Sequence, residues 1–133
     1  MAWENDDMCF VCGQRNEHGL QLRFQLVGSD RIRTEFTPEK RFQGFKDIVH
    51  GGIVATVLDE VMVDVAYLRG ILAVTSKLEV RLKKPAKVGE KLLFEARILK
   101  DRGRLLDVEA QARKEDGMVV AEAKAVLVKV KCD

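Results

Sequence analysis

A histidine and two glycines stand directly before an apolar segment that carries two adjacent acids: VHGGIVATVLDEVMVDVA, residues 49 to 66. His50, Gly51 and Gly52 at a helix start would offer backbone N–H groups with no side chain in front of them. Orphan donors at the positive end of a helix dipole suit an oxyanion or a phosphate. Farther along, Asp59 is the one acid on a helical line made by Gly52, Ala55, Thr56, Asp59, Val63 and Ala66, whose small members permit close approach of a ligand or a second backbone. A carboxylate on such a helix needs a reason, because burying it unpaired costs several kcal/mol or drives its pKa upward. For Glu60, about 100° around the helix from Asp59, and for Asp64, a salt bridge or an exposed helix face would suffice.

A second chemical pattern lies near the start, in CFVCGQRNEHG. The C-x-x-C spacing of Cys9 and Cys12 suits zinc or redox chemistry, and His18 could be a third ligand, but no second ligand pair follows at zinc-finger spacing. The pair also precedes any strand or helix, whereas a redox motif opens a helix after a strand. The expectation is a pair of half-buried thiols in an N-terminal turn, residues 1 to 18, with no metal and less than stoichiometric zinc. Cys132 makes the cysteine count odd, which does not suit a disulfide framework and fits a reducing compartment.

The elements that must position these groups follow from the apolar period. Leu20, Leu22, Phe24 and Leu26 alternate, GSD turns the chain, and Ile32, Thr34 and Phe36 face one way, which predicts a hairpin. Residues 37 to 50 form a loop, and a helix runs from about Gly51 to Leu68, stopped near Gly70. Its apolar stripe is wide enough to predict cover on nearly all sides. Three alternating segments follow: Val74 to Lys84, Lys91 to Lys100, and Leu105 to Val130, the last split by EDG at 115 to 117. Two strands, one helix and four strands predict an α+β domain in which one long helix covers an antiparallel sheet.

Length and charge bound the function. With 133 residues, 47% of them hydrophobic, the chain fits a single domain over residues 1 to 133. Basic and acidic side chains number 23 and 21, far from the basic footprint of a nucleic-acid binder. No stretch has the roughly 20 apolar residues of a membrane span, and the start MAWENDDMCF lacks the pattern of a secretory signal. A cytoplasmic protein without nucleic-acid or membrane partners is expected.

CFVCGQRNEHGLQLRF, FQGFKDIVHGGIVATVLDE and TSKLEVRLKKPAKVGEKL together resemble the hotdog-fold acyl-CoA thioesterases of the phenylacetate-pathway and 4-hydroxybenzoyl-CoA type, over nearly the whole chain. The resemblance implies a hotdog fold, in which the sheet wraps around one central helix. It implies that Asp59 is the helix carboxylate, acting as nucleophile or as general base toward water. It implies that the Gly51 N–H polarises the thioester carbonyl, with His50 and Gly52 shaping that turn. Thr75 matches a hydroxyl that helps place the water, and Gln43 a loop amide that contacts thioester or water. Active sites at a dimer interface, in dimers or tetramers, are implied as well, with CoA as part of the substrate and no separate cofactor.

Thioester hydrolysis needs a base or nucleophile and a donor for the developing oxyanion, one such donor contributing about 2.7 to 4 kcal/mol. Asp59 and Gly51 supply one each. No serine or cysteine is set beside a histidine as in a nucleophile elbow, which leaves carboxylate catalysis. Eight residues at about 1.5 Å rise put Asp59 roughly 12 Å along the helix from Gly51, too far for both to touch one carbon. Two helices related by a two-fold axis would solve this, the acid of one chain meeting the helix start of the other. Arg81, Lys83 and Lys84, with Lys87 beyond, could hold the CoA phosphates or simply protect a solvated strand edge. Two other functions stay open on the same fold: a non-catalytic acyl-CoA or lipid-binding module with a structural Asp59, and a hydratase or dehydratase of acyl thioesters.

Overall fold

The computed structural model describes residues 3–131, so Cys132 lies outside the described residues. Its strands are β1 (Gln25–Val27), β2 (Arg31–Phe36), β3 (Ala73–Leu82), β4 (Leu92–Arg102), β5 (Leu105–Lys114) and β6 (Val119–Lys129), with the helix α1 (Gly51–Tyr67) between β2 and β3. All pairings are antiparallel and form a single sheet in the order β1-β2-β4-β5-β6-β3. The helix excursion thus carries the chain from one side of the sheet to the opposite edge. This is the predicted α+β hotdog architecture, one helix packed on a six-stranded sheet.

Period-2 patterning decides which sheet face is buried. Ile32, Thr34 and Phe36 of β2, Leu92, Phe94 and Ala96 of β4, and Leu106, Val108, Ala110 and Ala112 of β5 point inward and are all buried. A row of alanines, Ala96, Ala110 and Ala123, lies in register across β4, β5 and β6 and leaves room for the helix. Against this face α1 buries Val54, Val57, Leu58, Val61, Met62, Val65 and Ala66. Its remaining flanks are half-exposed in one chain, so the cover is less complete than the sequence predicts.

Two strand expectations are also corrected. Leu20 and Leu22 do not pair with β2; their N–H groups donate to the carbonyls of Phe10 and Val11, which ties the N-terminal turn to the body, and only residues 25 to 27 join the sheet. Apolar alternation in β3 does not become burial along the whole strand, because β3 is the sheet edge and has no neighbour on its far side: Ala73 is buried, whereas Leu78 and Leu82 are exposed.

Both ends of α1 are defined by local chemistry. At the C-terminal end Gly70 takes φ +81°, the Gly70 N–H donates to the Tyr67 carbonyl and the Ile71 N–H to the Ala66 carbonyl, a Schellman arrangement that a Cβ would strain. At the N-terminal end His50 is locked by its N–H to the Phe42 carbonyl, and its neighbour Val49 bonds to the Ala86 carbonyl, so the helix start is held between the 40s loop and the turn after β3. Leu58 is fully buried at the helix–sheet interface. Leu58→Ala should therefore lower unfolding free energy by about 2–5 kcal/mol through lost transfer energy and the cavity left behind, measured by urea denaturation.

Candidate active site

The helix start is built from His50. Its Nδ1 accepts the Gly52 N–H at 2.9 Å, so the ring acts as the N-cap. The His50 carbonyl accepts from Ile53 and Val54. Of the first donors this leaves the Gly51 N–H, which has no hydrogen-bond partner among the described residues. The two glycines, equivalent in the sequence, are thereby separated: Gly52 is engaged in the cap and Gly51 is the free donor. A pocket of about 210 Å³ opens beside it, lined by Val49, Gly51, Val54, Leu82, Lys84 and Ala86 among others.

Asp59 lies two helical turns on and is half-buried. Thr75 Oγ1 donates to its Oδ1 at 2.6 Å, the length expected for a hydroxyl on a carboxylate. Thr75 is aimed there by a bulge in β3 between Thr75 and Lys77, where the extra residue, Ser76, turns its hydroxyl to the Val126 carbonyl. Oδ2 of Asp59 has no partner among the described residues, and no buried side-chain oxygen or nitrogen there lacks one, so Oδ2 is open to a ligand. The acid and the hydroxyl chosen from the sequence are thus brought into contact, while Gly51 stays near the other end of β3, where a Cβ on it would meet Leu82 Cδ1.

Gln43 is placed otherwise. Its Oε1 accepts the Asp47 N–H at 3.1 Å and closes the loop before the helix, and no bond links it to Asp59 in the same chain. Lys83 pairs with Glu122 at 2.8 Å; Lys84 forms no ion pair among the described residues and lines the pocket at Gly51, as Lys83 also does. Arg81 lies on the outer face with Glu79 and Glu122. Lys84 is therefore the cation best placed near the helix start.

Glu60 and Asp64 correct the sequence reading, for among the described residues neither has a salt bridge, and both are half-buried rather than on an exposed face. Cys9 and Cys12 donate their thiols to Glu60 Oε1 at 3.5 and 3.4 Å. Asp64, one turn on, is pushed up to about 8 by burial, then by the charge of Glu60 and a hydrogen bond to it. Burial and the charges of Glu60 and Asp64 also raise the Cys12 thiol. Periodicity within the helix could not reveal this, because the cover comes from a segment about fifty residues away. The expected half-buried thiols in a turn are found, both free.

A family model described as Thioesterase superfamily matches residues 46–121. No curated protein matches. Among solved structures, a thioesterase superfamily protein superposes with TM-score 0.84 at 24% identity over 89% of this chain, which spans 61% of that one. A hypothetical thioesterase protein from Streptococcus pneumoniae, solved with coenzyme A, matches at TM-score 0.77 and 14% identity over 82% of this chain and 85% of its own. That protein has also been solved with an aspartate and, sixteen residues later, a threonine each replaced by alanine. A phenylacetic acid degradation-related protein from Ralstonia eutropha matches at TM-score 0.73 and 21% identity over 84% and 86% of the two chains. At these identities the structures establish a shared fold.

The cap geometry yields a test that needs no substrate. His50→Ala should lower stability by about 0.5–2 kcal/mol and His50→Asn, which can accept the same N–H, by less, as read from unfolding midpoints of the two variants.

Proposed function

The chain belongs to the thioesterase superfamily, and from that membership we propose that it hydrolyses an acyl-CoA thioester to the free acid and CoA by carboxylate catalysis at Asp59. One observation carries the reading: on a single helix, an acid held by Thr75 at 2.6 Å keeps its other oxygen open, and the first N–H, at Gly51, is left unbonded among the described residues. The sixteen-residue separation of Asp59 and Thr75 equals that of the aspartate and threonine replaced in the S. pneumoniae protein, which supports the choice of these two. The coenzyme A in that structure supports the substrate class.

In the proposed reaction the thioester oxygen accepts from the Gly51 N–H, and Asp59 either takes a proton from the attacking water or attacks the carbonyl carbon itself. In the first case the Asp59 carboxyl returns that proton to the sulfur as the C–S bond breaks, and CoA leaves as the thiol; in the second CoA leaves as the thiolate, and water then cleaves the acyl–Asp59 anhydride to the free acid, its proton neutralising the thiolate. Thr75 fixes the Asp59 rotamer, so that Oδ2 is presented rather than Oδ1. Lys84 and Lys83, beside the pocket at Gly51, are the proposed phosphate contacts, with Arg81 farther out. Roughly 12 Å of helix separates Asp59 from Gly51 in one chain, so the proposed site takes the acid from one copy and the donor from another, in a homodimer or a pair of dimers. Gln43 would then act on the substrate only from across that interface. No helix among the described residues is long and apolar enough to cross a membrane.

A thiol-release screen over aryl, short-chain and long-chain acyl-CoA tests the reading. At least one class should be hydrolysed, and Asp59→Asn should lower turnover by about a hundredfold or more, with an unchanged unfolding midpoint. An Asp59→Asn variant that retains full turnover would overturn the catalytic role. Binding without thiol release would point to the non-catalytic module, and hydration of an enoyl thioester without thiol release to a hydratase.

The two-chain site has its own test. Asp59→Ala lacks the acid, and Gly51→Val fills the pocket beside the donor, displacing the exposed Leu82 side chain. Each variant alone should be inactive. After subunit exchange about half the dimers are mixed and each mixed dimer has one intact site, so activity should return to roughly a quarter of wild type by two-fold symmetry. No recovery, with exchange shown by mass spectrometry, would place acid and donor in the same chain.

A further inference from the structure

Outside the candidate active site, the N-terminal turn and the opposite flank of α1 build a second cluster. The sulfurs of Cys9 and Cys12 and a carboxylate oxygen of Glu60 all lie within 4.8 Å of one another. Each sulfur is 3.4 to 3.5 Å from the same Glu60 oxygen. In a tetrahedral site with Zn–S of about 2.3 Å and Zn–O of about 2.1 Å, the S···O edge is about 3.6 Å. Both S···O separations therefore already match edges of a zinc tetrahedron.

The turn itself is shaped for this. The N–H groups of Val11 and Cys12 both point at Cys9 Sγ, at 3.4 and 3.5 Å, and hold that sulfur on the inner side of the turn. The chain then folds so tightly that the Gly13 N–H bonds the Cys9 carbonyl at 2.9 Å, and a Cβ on Gly13 would collide with the Cys9 backbone nitrogen. C-x-x-C-G is thus a required combination here: two sulfurs converge because the fifth residue has no side chain. His18, the ligand suggested by sequence spacing, is exposed and does not join the cluster; the helix supplies the third ligand instead.

In place of the metal-free turn expected from the sequence, we propose that Cys9, Cys12 and Glu60 hold one structural zinc ion, which pins the N-terminal turn to α1. Two thiolates and a carboxylate suit a borderline-soft, four-coordinate cation with a water as the fourth ligand, and Asp64, one helical turn from Glu60 and outside the three-donor cluster, is placed to orient the Glu60 carboxylate. Binding releases the two thiol protons. The site lies on the Glu60 flank of the helix and its role does not depend on the thioesterase reading.

The purified full chain, reduced and dialysed against zinc and then against metal-free buffer, should retain about one zinc per chain by elemental analysis. Cobalt(II) in its place should give thiolate-to-metal charge transfer and the intense visible bands of a tetrahedral site. Cys12→Ser should lose the ion and the charge-transfer band weaken, and Glu60→Gln should need more zinc for half-saturation. Zinc should raise the unfolding midpoint of the wild type and not that of Cys12→Ser. Reduced wild type that retains no zinc and shows no cobalt charge transfer would overturn the proposal, as would stoichiometric zinc that survives Cys12→Ser. The wild-type spectra decide the matter even if a variant fails to fold.

Discussion

A six-stranded sheet with one apolar face has a single helix to cover it, and every other feature of the molecule depends on that packing. The face of α1 that meets the sheet is wholly apolar, from Val54 to Ala66. Its acids must therefore occupy the flanks, and each flank is covered by a different part of the chain. On one side β3 brings Thr75 to Asp59; on the other the N-terminal turn brings Cys9 and Cys12 to Glu60, which in turn meets Asp64. A half-buried carboxylate without a partner would cost several kcal/mol, and among the described residues no buried side-chain oxygen or nitrogen is left without one.

This division explains how two adjacent acids avoid competing for one role. Successive helical positions diverge by about 100°, so Asp59 and Glu60 cannot share a neighbour. Asp59 faces the edge strand with one oxygen open. Glu60 faces the thiols, and its side chain is committed to them and to Asp64. In the proposed mechanism only the first has a free lone pair for substrate, which is why the two residues, alike in sequence, are assigned different work.

The fold was largely legible because its signals are local. Alternation marked β2, β4, β5 and β6, EDG marked the last turn, and Gly70 marked the helix stop. The helix start was legible as a set of backbone donors from which the resemblance singled out Gly51, whereas the physical distinction, that the His50 ring takes the Gly52 N–H and leaves that of Gly51 unbonded among the described residues, rests on geometry that residue types do not show. What stayed hidden depends on contacts between distant segments. Leu20 and Leu22 show the strand period yet bond to residues 10 and 11, and β3 shows it yet is the sheet edge. Glu60 had no visible partner because its partners precede it by about fifty residues and are cysteines, a pairing that charge patterning does not reveal.

The edge position of β3 ties the local chemistry to the assembly. Thr75, with Asp59, stands near one end of this strand, and Leu82, against Gly51, at the other. An exposed edge of ten residues with apolar Leu78 and Leu82 is a liability for a lone chain, since its unpaired backbone groups invite another strand. A two-fold axis across that edge would reverse the second copy, so the acid end of one β3 would lie toward the donor end of the other. The same contact would cover the half-exposed small flank at Ala55 and Thr56, where Thr56 has already turned its hydroxyl back to the Gly52 carbonyl at 2.7 Å and presents little bulk. In the proposed dimer, then, one surface would satisfy the edge strand, bury the small flank of the helix and close the roughly 12 Å gap that a single helix cannot bridge.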